Sequence, residues 1–338
     1  MSKFRFGVAG PGHIANKFVR DLADTKEIEF AGAASSSMER AQMFVSEFKE
    51  VFPQAVAFAS YEEMAKDPSV DAVYISNLNT QHAQTAQLFL KNKKPVLCEK
   101  PFALNADEAQ DIVQTAQNND VFIMEAMWTR FLPTIEKVRH WINEDKIGTP
   151  VRALSDFGMD LMRGADHRTV DINKGGGALL DLGIYPISFF SMIFGAEPIS
   201  HFSFVSKVVS GVDASFDVVF RYNHIKRPLC EDYPTAYATV SIDRKMSLQM
   251  KIIGAKGYIE IDDFFAAKKA RLYQGVTGNF FSKEPTEVFE STDASLGYKY
   301  EALEVMKCVR AGMLESKIMT ANESVAIMKI LDMLRTYT

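Results

Sequence analysis

The sequence predicts an α/β chain in two parts: a doubly wound parallel sheet over residues 1–124, then an α+β part over 125–338 built on a large, open, mainly antiparallel sheet. Three observations lead there. A glycine-rich turn, Gly7-Val8-Ala9-Gly10-Pro11-Gly12-His13-Ile14-Ala15, follows the short run Phe4-Arg5-Phe6 at the start of the chain. Up to about residue 125, short apolar runs alternate with amphipathic stretches, the signature of parallel strands joined by crossover helices. After Glu125 the texture becomes a series of alternating strands separated by short turns such as Gly254-Ala255-Lys256-Gly257, which favours antiparallel pairing.

The elements follow in order. Residues 4–9 form the first strand, and the helix after the glycine turn runs to about Ala23. Residues 28–34 are the second strand, and Ser36 with Glu39 has the capping-box spacing that opens a helix through Phe48. A short strand at 55–58 precedes a second capping box, Ser60 with Glu63. The buried run 72–75 ends at the polar loop Ser76-Asn77-Leu78-Asn79-Thr80, and a helix spans 82–91. Residues 95–98 and 121–124 are strands flanking a helix at 107–117. Beyond them comes a helix at 133–143, then strands at 151–157, 201–209, 216–222, 236–242, 246–253, 258–261 and 271–273. The run Gly175-Gly176-Gly177 interrupts this series and leads into a helix from about Leu182 to Phe194, and two helices, 298–311 and 320–336, close the chain.

Composition narrows the function. At 338 residues with 47% hydrophobic content, the chain can bury two cores without staples. A net charge of −5 with interspersed signs offers no attraction for nucleic acid or an anionic membrane, so a small molecule is the expected partner. Cys98, Cys230 and Cys308 are far apart and lack C-x-x-C spacing, which points to a reducing compartment and no metal site. Met1-Ser2-Lys3 runs straight into the first strand, with neither signal peptide nor membrane span indicated, so a cytoplasmic protein is expected.

The glycine turn reads as a dinucleotide fingerprint. Gly10 makes the tight strand-to-helix turn, Gly12 lets backbone approach a pyrophosphate, and small Ala15 lets the helix pack on the sheet. The helix N-terminus then presents free N–H groups to phosphate, with Pro11, His13 and Ile14 completing the contact surface. At the end of the strand 95–98 stands Cys98-Glu99-Lys100-Pro101-Phe102. Ligands of such sheets bind at the carboxyl ends of the strands, so Lys100 is placed as a general base beside a nicotinamide; the competing reading is a surface lysine at a strand end.

The ordered set GPGHIA, EKPFALN, EAMWTRFLP and GGGALLDLGIYP resembles the family of glucose-fructose oxidoreductase and inositol dehydrogenase, and within it the branch that oxidises dihydrodiols and D-xylose. The resemblance covers essentially the whole chain. It implies that Lys100 is catalytic and that Asp181 and Tyr185, four positions apart on the helix after the glycine run, face one substrate carbon. Tyrosine has a free pKa of about 10, so Tyr185 would need a cation such as Lys100 to act as acid/base, with the reverse assignment also open. Asp181 would hold a substrate hydroxyl or orient Lys100. The competing readings are a helix N-terminal acid for Asp181 and a half-buried core tyrosine for Tyr185.

The same resemblance places Arg168 and Glu99 at the cofactor or substrate, Trp128 as a flat surface and Arg130 as a charged clamp beside the nicotinamide, and Asn77, Leu78, Asn79 and His82 in a cofactor loop. Against these stand a solvated loop cation for Arg168, a core tryptophan for Trp128 and a satisfied helix-start histidine for His82. The loop also departs from the family's usual T-P-N pattern.

For the cofactor, the second strand ends in Ala34-Ser35-Ser36-Ser37 rather than the carboxylate that binds an NAD ribose, and Arg40 lies one turn on. Ser35, Ser36, Ser37 and Arg40 favour NADP; dual use with NAD stays open, and Ser36 also serves as a helix cap. The expected activity is oxidation of a secondary alcohol of a sugar, polyol or trans-dihydrodiol. Transient redox by a tightly held NAD(P), and a nucleotide-binding regulator without catalysis, are the alternatives. The open sheet face needs a cover, which a homodimer or homotetramer would supply.

Overall fold

In a computed structural model the described residues are 2–162, 164, 167–195, 197–223, 225–227, 230–275 and 284–336, with backbone alone for 225–227, 230–232 and 336, so the side chain of Cys230 lies outside them. The first part alternates strands β1 (Phe4–Ala9), β2 (Ile28–Ala34), β3 (Val56–Phe58), β4 (Ala72–Ile75), β5 (Val96–Glu99) and β6 (Ile123–Ala126) with helices α1 (His13–Leu22), α2 (Met38–Ser46), α3 (Tyr61–Lys66), α4 (His82–Lys91) and α5 (Ala106–Asn119). The strands are all parallel, in the order β3-β2-β1-β4-β5-β6. Every residue of β4, β5 and β6 is buried, as expected of parallel strands covered on both faces. Phe18 of α1 stacks on Tyr74 of β4 at 3.9 Å between centroids, and Phe30 of β2 gathers Phe44, Phe48 and Phe52.

Ser60 and Asn105 cap α3 and α5 through the N–H groups of Glu63 and Glu108. At α2 the cap is Ser37, which accepts from Arg40 N–H, rather than the expected Ser36. The helix starts one residue later than the capping-box spacing suggests, and Ser36 stays exposed.

The second part contains α6 (Pro133–Asn143), β7 (Pro150–Gly158), α7 (Ile184–Phe194), β8 (Ser200–Lys207), β9 (Asp213–Arg221), the small pair β10 (Ile225–Arg227) and β11 (Cys230–Asp232), then β12 (Thr235–Ser241), β13 (Met250–Gly254), β14 (Gly257–Asp262), β15 (Lys269–Gln274) and β16 (Glu287–Glu290). Eight strands form one sheet in the order β16-β15-β14-β13-β7-β12-β9-β8, antiparallel except for β7 with β12. β13 begins at Met250 instead of 246: Asp156 accepts the N–H groups of Ser247 and Gln249, and Leu248 takes φ 62°, so the chain bends before it can pair. β8 ends at Lys207 because a tight turn closes at Val208, whose carbonyl accepts Gly211 N–H. The short strands β10, β11 and β16 were not anticipated. One sheet face is apolar and buried, with Phe216, Val218 and Phe220 of β9 and Ala236, Ala238 and Val240 of β12 on it.

The final helices are α8 (Tyr298–Arg310) and α9 (Ala321–Thr336). Packing divides the chain into a unit made of residues through Trp128 plus Ala294–Met328, and a unit made of Thr129–Asp293 plus Lys329 onward. This differs from a division at 124/125, because the tail is tied to the parallel sheet. Buried Asp21 of α1 accepts the N–H groups of Leu296, Gly297 and Tyr298 at 3.0, 2.7 and 2.8 Å, and Leu314 O accepts Ile123 N–H at 3.1 Å. The stretch Ile172–Phe194, long and apolar enough to cross a membrane, is mostly buried in the second unit.

Candidate active site

In the first unit the strand order reverses between β1 and β4, which opens a crevice at the carboxyl ends of the strands. Gly10 sits there with φ 92°, and a Cβ on it would meet Asn77 backbone at 2.6 Å, so the turn needs glycine for both conformation and space. Ser76 Oγ donates to Gly10 O at 3.0 Å and ties the two loops together. A Cβ on Gly12 would meet only Gly10 O, at 4.0 Å. The backbone at position 12 is therefore open to close approach by a ligand. α1 starts at His13 with no side-chain cap and no acid in its first turn, while Ala15 is buried on the sheet. An α1 N-terminus with no side-chain cap, an open Gly12 and serines rather than a carboxylate at 35–37 fit a dinucleotide with its pyrophosphate at α1 and its adenosine end toward Ser36 and Arg40. Bound there, a nicotinamide takes up or returns a hydride.

The segment after β5 is held by side chains at successive residues. Glu99 Oε2 accepts Lys100 N–H at 3.1 Å, His82 Nδ1 bonds Pro101 O at 2.8 Å, and Glu125 Oε1 accepts Phe102 N–H at 3.1 Å. The Lys100-Pro101 peptide is cis. Since Pro101 O can only accept, His82 Nδ1 carries the hydrogen. Burial pushes the His82 imidazole down to about 4, so it is neutral near pH 7 and adds no second cation beside Lys100. Lys100 itself is half-buried.

Several expected cofactor residues also have partners within the protein. Glu99 is 6% exposed, and its Oε1 accepts the phenol of Tyr74, so the carboxylate faces the sheet interior. Trp128 is buried and stacks on Tyr298 at 4.9 Å. His82 begins α4 as expected but serves the Pro101 carbonyl. Asn77 is half-buried and donates to Thr85 Oγ1, Leu78 is exposed, and Asn79 opens a 3₁₀ turn.

In the second unit, the glycine run seats the Asp181 turn. A Cβ on Gly176 would lie 2.6 Å from Arg168 O, and Gly177, at φ 119°, would collide with the Asp213 carboxylate. Asp213, at the start of β9, accepts Leu179 N–H and so caps the turn. Burial holds its carboxyl above the usual range. Leu179–Gly183 is a π turn, not the start of a regular α-helix. Pro186 cannot donate the N–H that an unbroken helix would send to Leu182 O, and the wider turn absorbs the gap. Asp181 is buried and paired with Arg168, whose Nη2 lies 3.1 and 3.4 Å from its two oxygens. Tyr185 meets Phe157 edge-on at 5.4 Å and Phe265 at 6.1 Å. Arg130, expected as a clamp, is 1% exposed and donates to Ser188 Oγ and O on α7. It braces the helix that carries Tyr185.

Two matches decide what this architecture is. The profile of an oxidoreductase family with an NAD-binding Rossmann fold fits residues 4–127, and that of the GFO/IDH/MocA C-terminal domain fits residues 135–260. The chain belongs to the GFO/IDH/MocA oxidoreductase family. The crevice lies within the residues that match the family's NAD-binding domain. The trans-1,2-dihydrobenzene-1,2-diol dehydrogenases of Mus musculus, Homo sapiens and Danio rerio are 34%, 33% and 31% identical to it, over 97%, 98% and 97% of this chain and 95%, 96% and 95% of theirs. The fold is shared with an aldose-aldose oxidoreductase from Caulobacter crescentus (TM-score 0.84, 17% identity, 99% and 97% coverage). It is shared too with KijD10, a 3-ketoreductase from Actinomadura kijaniata solved with NADP and TDP-benzene (TM-score 0.79, 21% identity, 99% and 98% coverage).

For this GFO/IDH/MocA chain, sequence reasoning missed Tyr74, Glu125 and Asp213, which hold the Lys100 segment and the Asp181 turn. Tyr74 carried a weak signal as the one phenol in an all-buried strand. Glu125 and Asp213 carried none, because each acts through a backbone N–H more than 20 positions away.

Proposed function

We propose that the chain is an NADP-dependent dehydrogenase oxidising a secondary hydroxyl of a ring-shaped substrate, a trans-dihydrodiol, sugar or polyol, with transfer of hydride to the nicotinamide. The observation that carries the substrate class is the setting of Tyr185. Its ring packs against Phe157 and Phe265, and Asp181, on the turn before it, pairs with Arg168. Phe265, only partly buried, offers an aromatic surface to the apolar face of a ring, and a charged pair suits its hydroxyls. The names of the dihydrodiol dehydrogenase relatives support the same class. Lys100 and Tyr185 are the groups assigned to the alcohol proton, with Asp181 on a substrate hydroxyl. NADP is favoured by exposed Ser36 and Arg40 and by serines rather than a carboxylate at 35–37.

The test is a panel of trans-dihydrodiols, aldoses and inositols, each with NADP and with NAD, read as NADPH or NADH absorbance. NADPH formation with at least one cyclic alcohol is expected. No reduction with any of them, despite nucleotide binding, would sink the proposal and point to a regulator or to internal redox.

A second copy of the chain is the expected partner. Phe202 and Phe204 on β8 are 63% and 65% exposed, and Phe202, Val219 and Tyr237 align across β8, β9 and β12 on the outer sheet face. Such a row is costly in water and suits a self-complementary interface. Light scattering should give a dimer or tetramer that Phe202→Asp with Phe204→Asp converts to monomer; a monomeric parent protein at micromolar concentration overturns this. Buried free thiols at Cys98 and Cys308 support a reducing, cytoplasmic location.

A further inference from the structure

Strands β4 and β5 are apolar throughout except at Tyr74 and Glu99, and these two side chains meet: the Tyr74 hydroxyl donates to Glu99 Oε1. Tyr74 is fully buried and its ring already stacks on Phe18, so phenylalanine would fill the same space and make the same stacking contact. A buried hydroxyl and carboxylate are expensive to desolvate, and nothing in the packing of this sheet requires them. What they do is local. Glu99 spends one oxygen on Tyr74 and the other on Lys100 N–H, so the phenol fixes the carboxylate and the carboxylate fixes the backbone of Lys100.

Glu301 of α8 lies near this pair. It is 0% exposed, and neither of its carboxyl oxygens has a hydrogen-bond partner among the described residues. Burial, with Glu99 and Asp21 nearby, holds its carboxyl well above the usual range. The other carboxylate beside this group, Asp21, is committed to the N–H groups of α8.

We propose that Tyr74 is a positioning residue for Lys100, acting through the Glu99 carboxylate. It touches neither substrate nor cofactor; it sets where the lysine backbone leaves the sheet. The inference rests on the catalytic assignment of Lys100 above, and two readouts that need no substrate keep the two separable.

In Tyr74→Phe, amide hydrogen exchange in the segment 99–104 should quicken by about tenfold, while exchange in α5 stays as in the parent. The pH profile of Lys100 acylation by a small amine reagent, followed by peptide mass spectrometry, should move as well. Turnover should fall about tenfold, with the NADPH dissociation constant within about threefold. Unchanged exchange in 99–104, an even rise across β4 and β5, or a superimposable acylation profile each overturns the proposal. If Tyr74→Phe does not fold, Glu99→Gln and Glu99→Leu replace it. Glutamine keeps an acceptor for Lys100 N–H and should retain at least about ten times the turnover of leucine; equal turnover overturns the proposal. Should no alcohol on the panel be oxidised, exchange and acylation still decide the role of Tyr74.

Discussion

Replacing Lys100 with methionine is expected to lower turnover about a thousandfold while leaving NADPH affinity within about threefold of the parent, because general acid–base groups contribute about 10² to 10⁴ in rate. Methionine keeps the length and much of the volume of the lysine stem, so the Glu99, His82 and Glu125 bonds, which go to backbone atoms at 100–102, remain. Only the amine is lost. Stopped-flow reduction of NADP with the best alcohol from the panel, alongside a fluorescence titration with NADPH, separates the chemical step from binding. A variant with turnover within about tenfold of the parent would remove Lys100 from the proton path and leave Tyr185 as the acid/base group. His82, neutral near pH 7, does not substitute for it: its imidazole is buried and its Nδ1 hydrogen goes to Pro101 O.

Arg40→Glu is expected to weaken NADP binding about a hundredfold and NAD binding by less than about threefold, since a phosphate carries close to two negative charges and reversing a facing charge removes an attraction and adds a repulsion. Arg40 is exposed, and its backbone N–H, not its side chain, bonds Ser37. The substitution should therefore leave the α2 cap intact and change the melting temperature little. The effect should shrink at high salt, where exposed charges are screened. Equal losses for the two nucleotides would mean that Arg40 does not face the 2′ position and that Ser36 alone reads the ribose.

Much of the scaffold was legible because its signals are local. The glycine turn, the capping pairs and the run Gly175-Gly176-Gly177 constrain backbone within a few residues, and the strand-helix alternation places them in order. One-residue errors arose where two neighbours could do the same work, as at Ser36 and Ser37, where the cap is the second. The site was harder to read for polar residues inside elements. Glu99 and Arg130 look like ligand groups in sequence, yet each is turned inward to a partner that the sequence does not mark, Tyr74 for one and Ser188 for the other. The π turn at Asp181 escaped because periodicity over a dozen apolar residues hardly distinguishes it from an α-helix, although Gly183 and Pro186 were there to be read.

By itself, the sequence determined the order of elements, the parallel and antiparallel classes of the two sheets, the nucleotide turn and the candidate acid/base groups. These depend on side-chain periodicity and turn chemistry, which act over a few residues. The tertiary structure alone decided which polar groups hold others in place. Tyr74 reaches Glu99 across 25 positions, and Asp21 reaches the N-terminus of α8 across more than 270. A buried polar group must find a partner wherever the folded chain brings one, and separation along the chain carries no record of that choice.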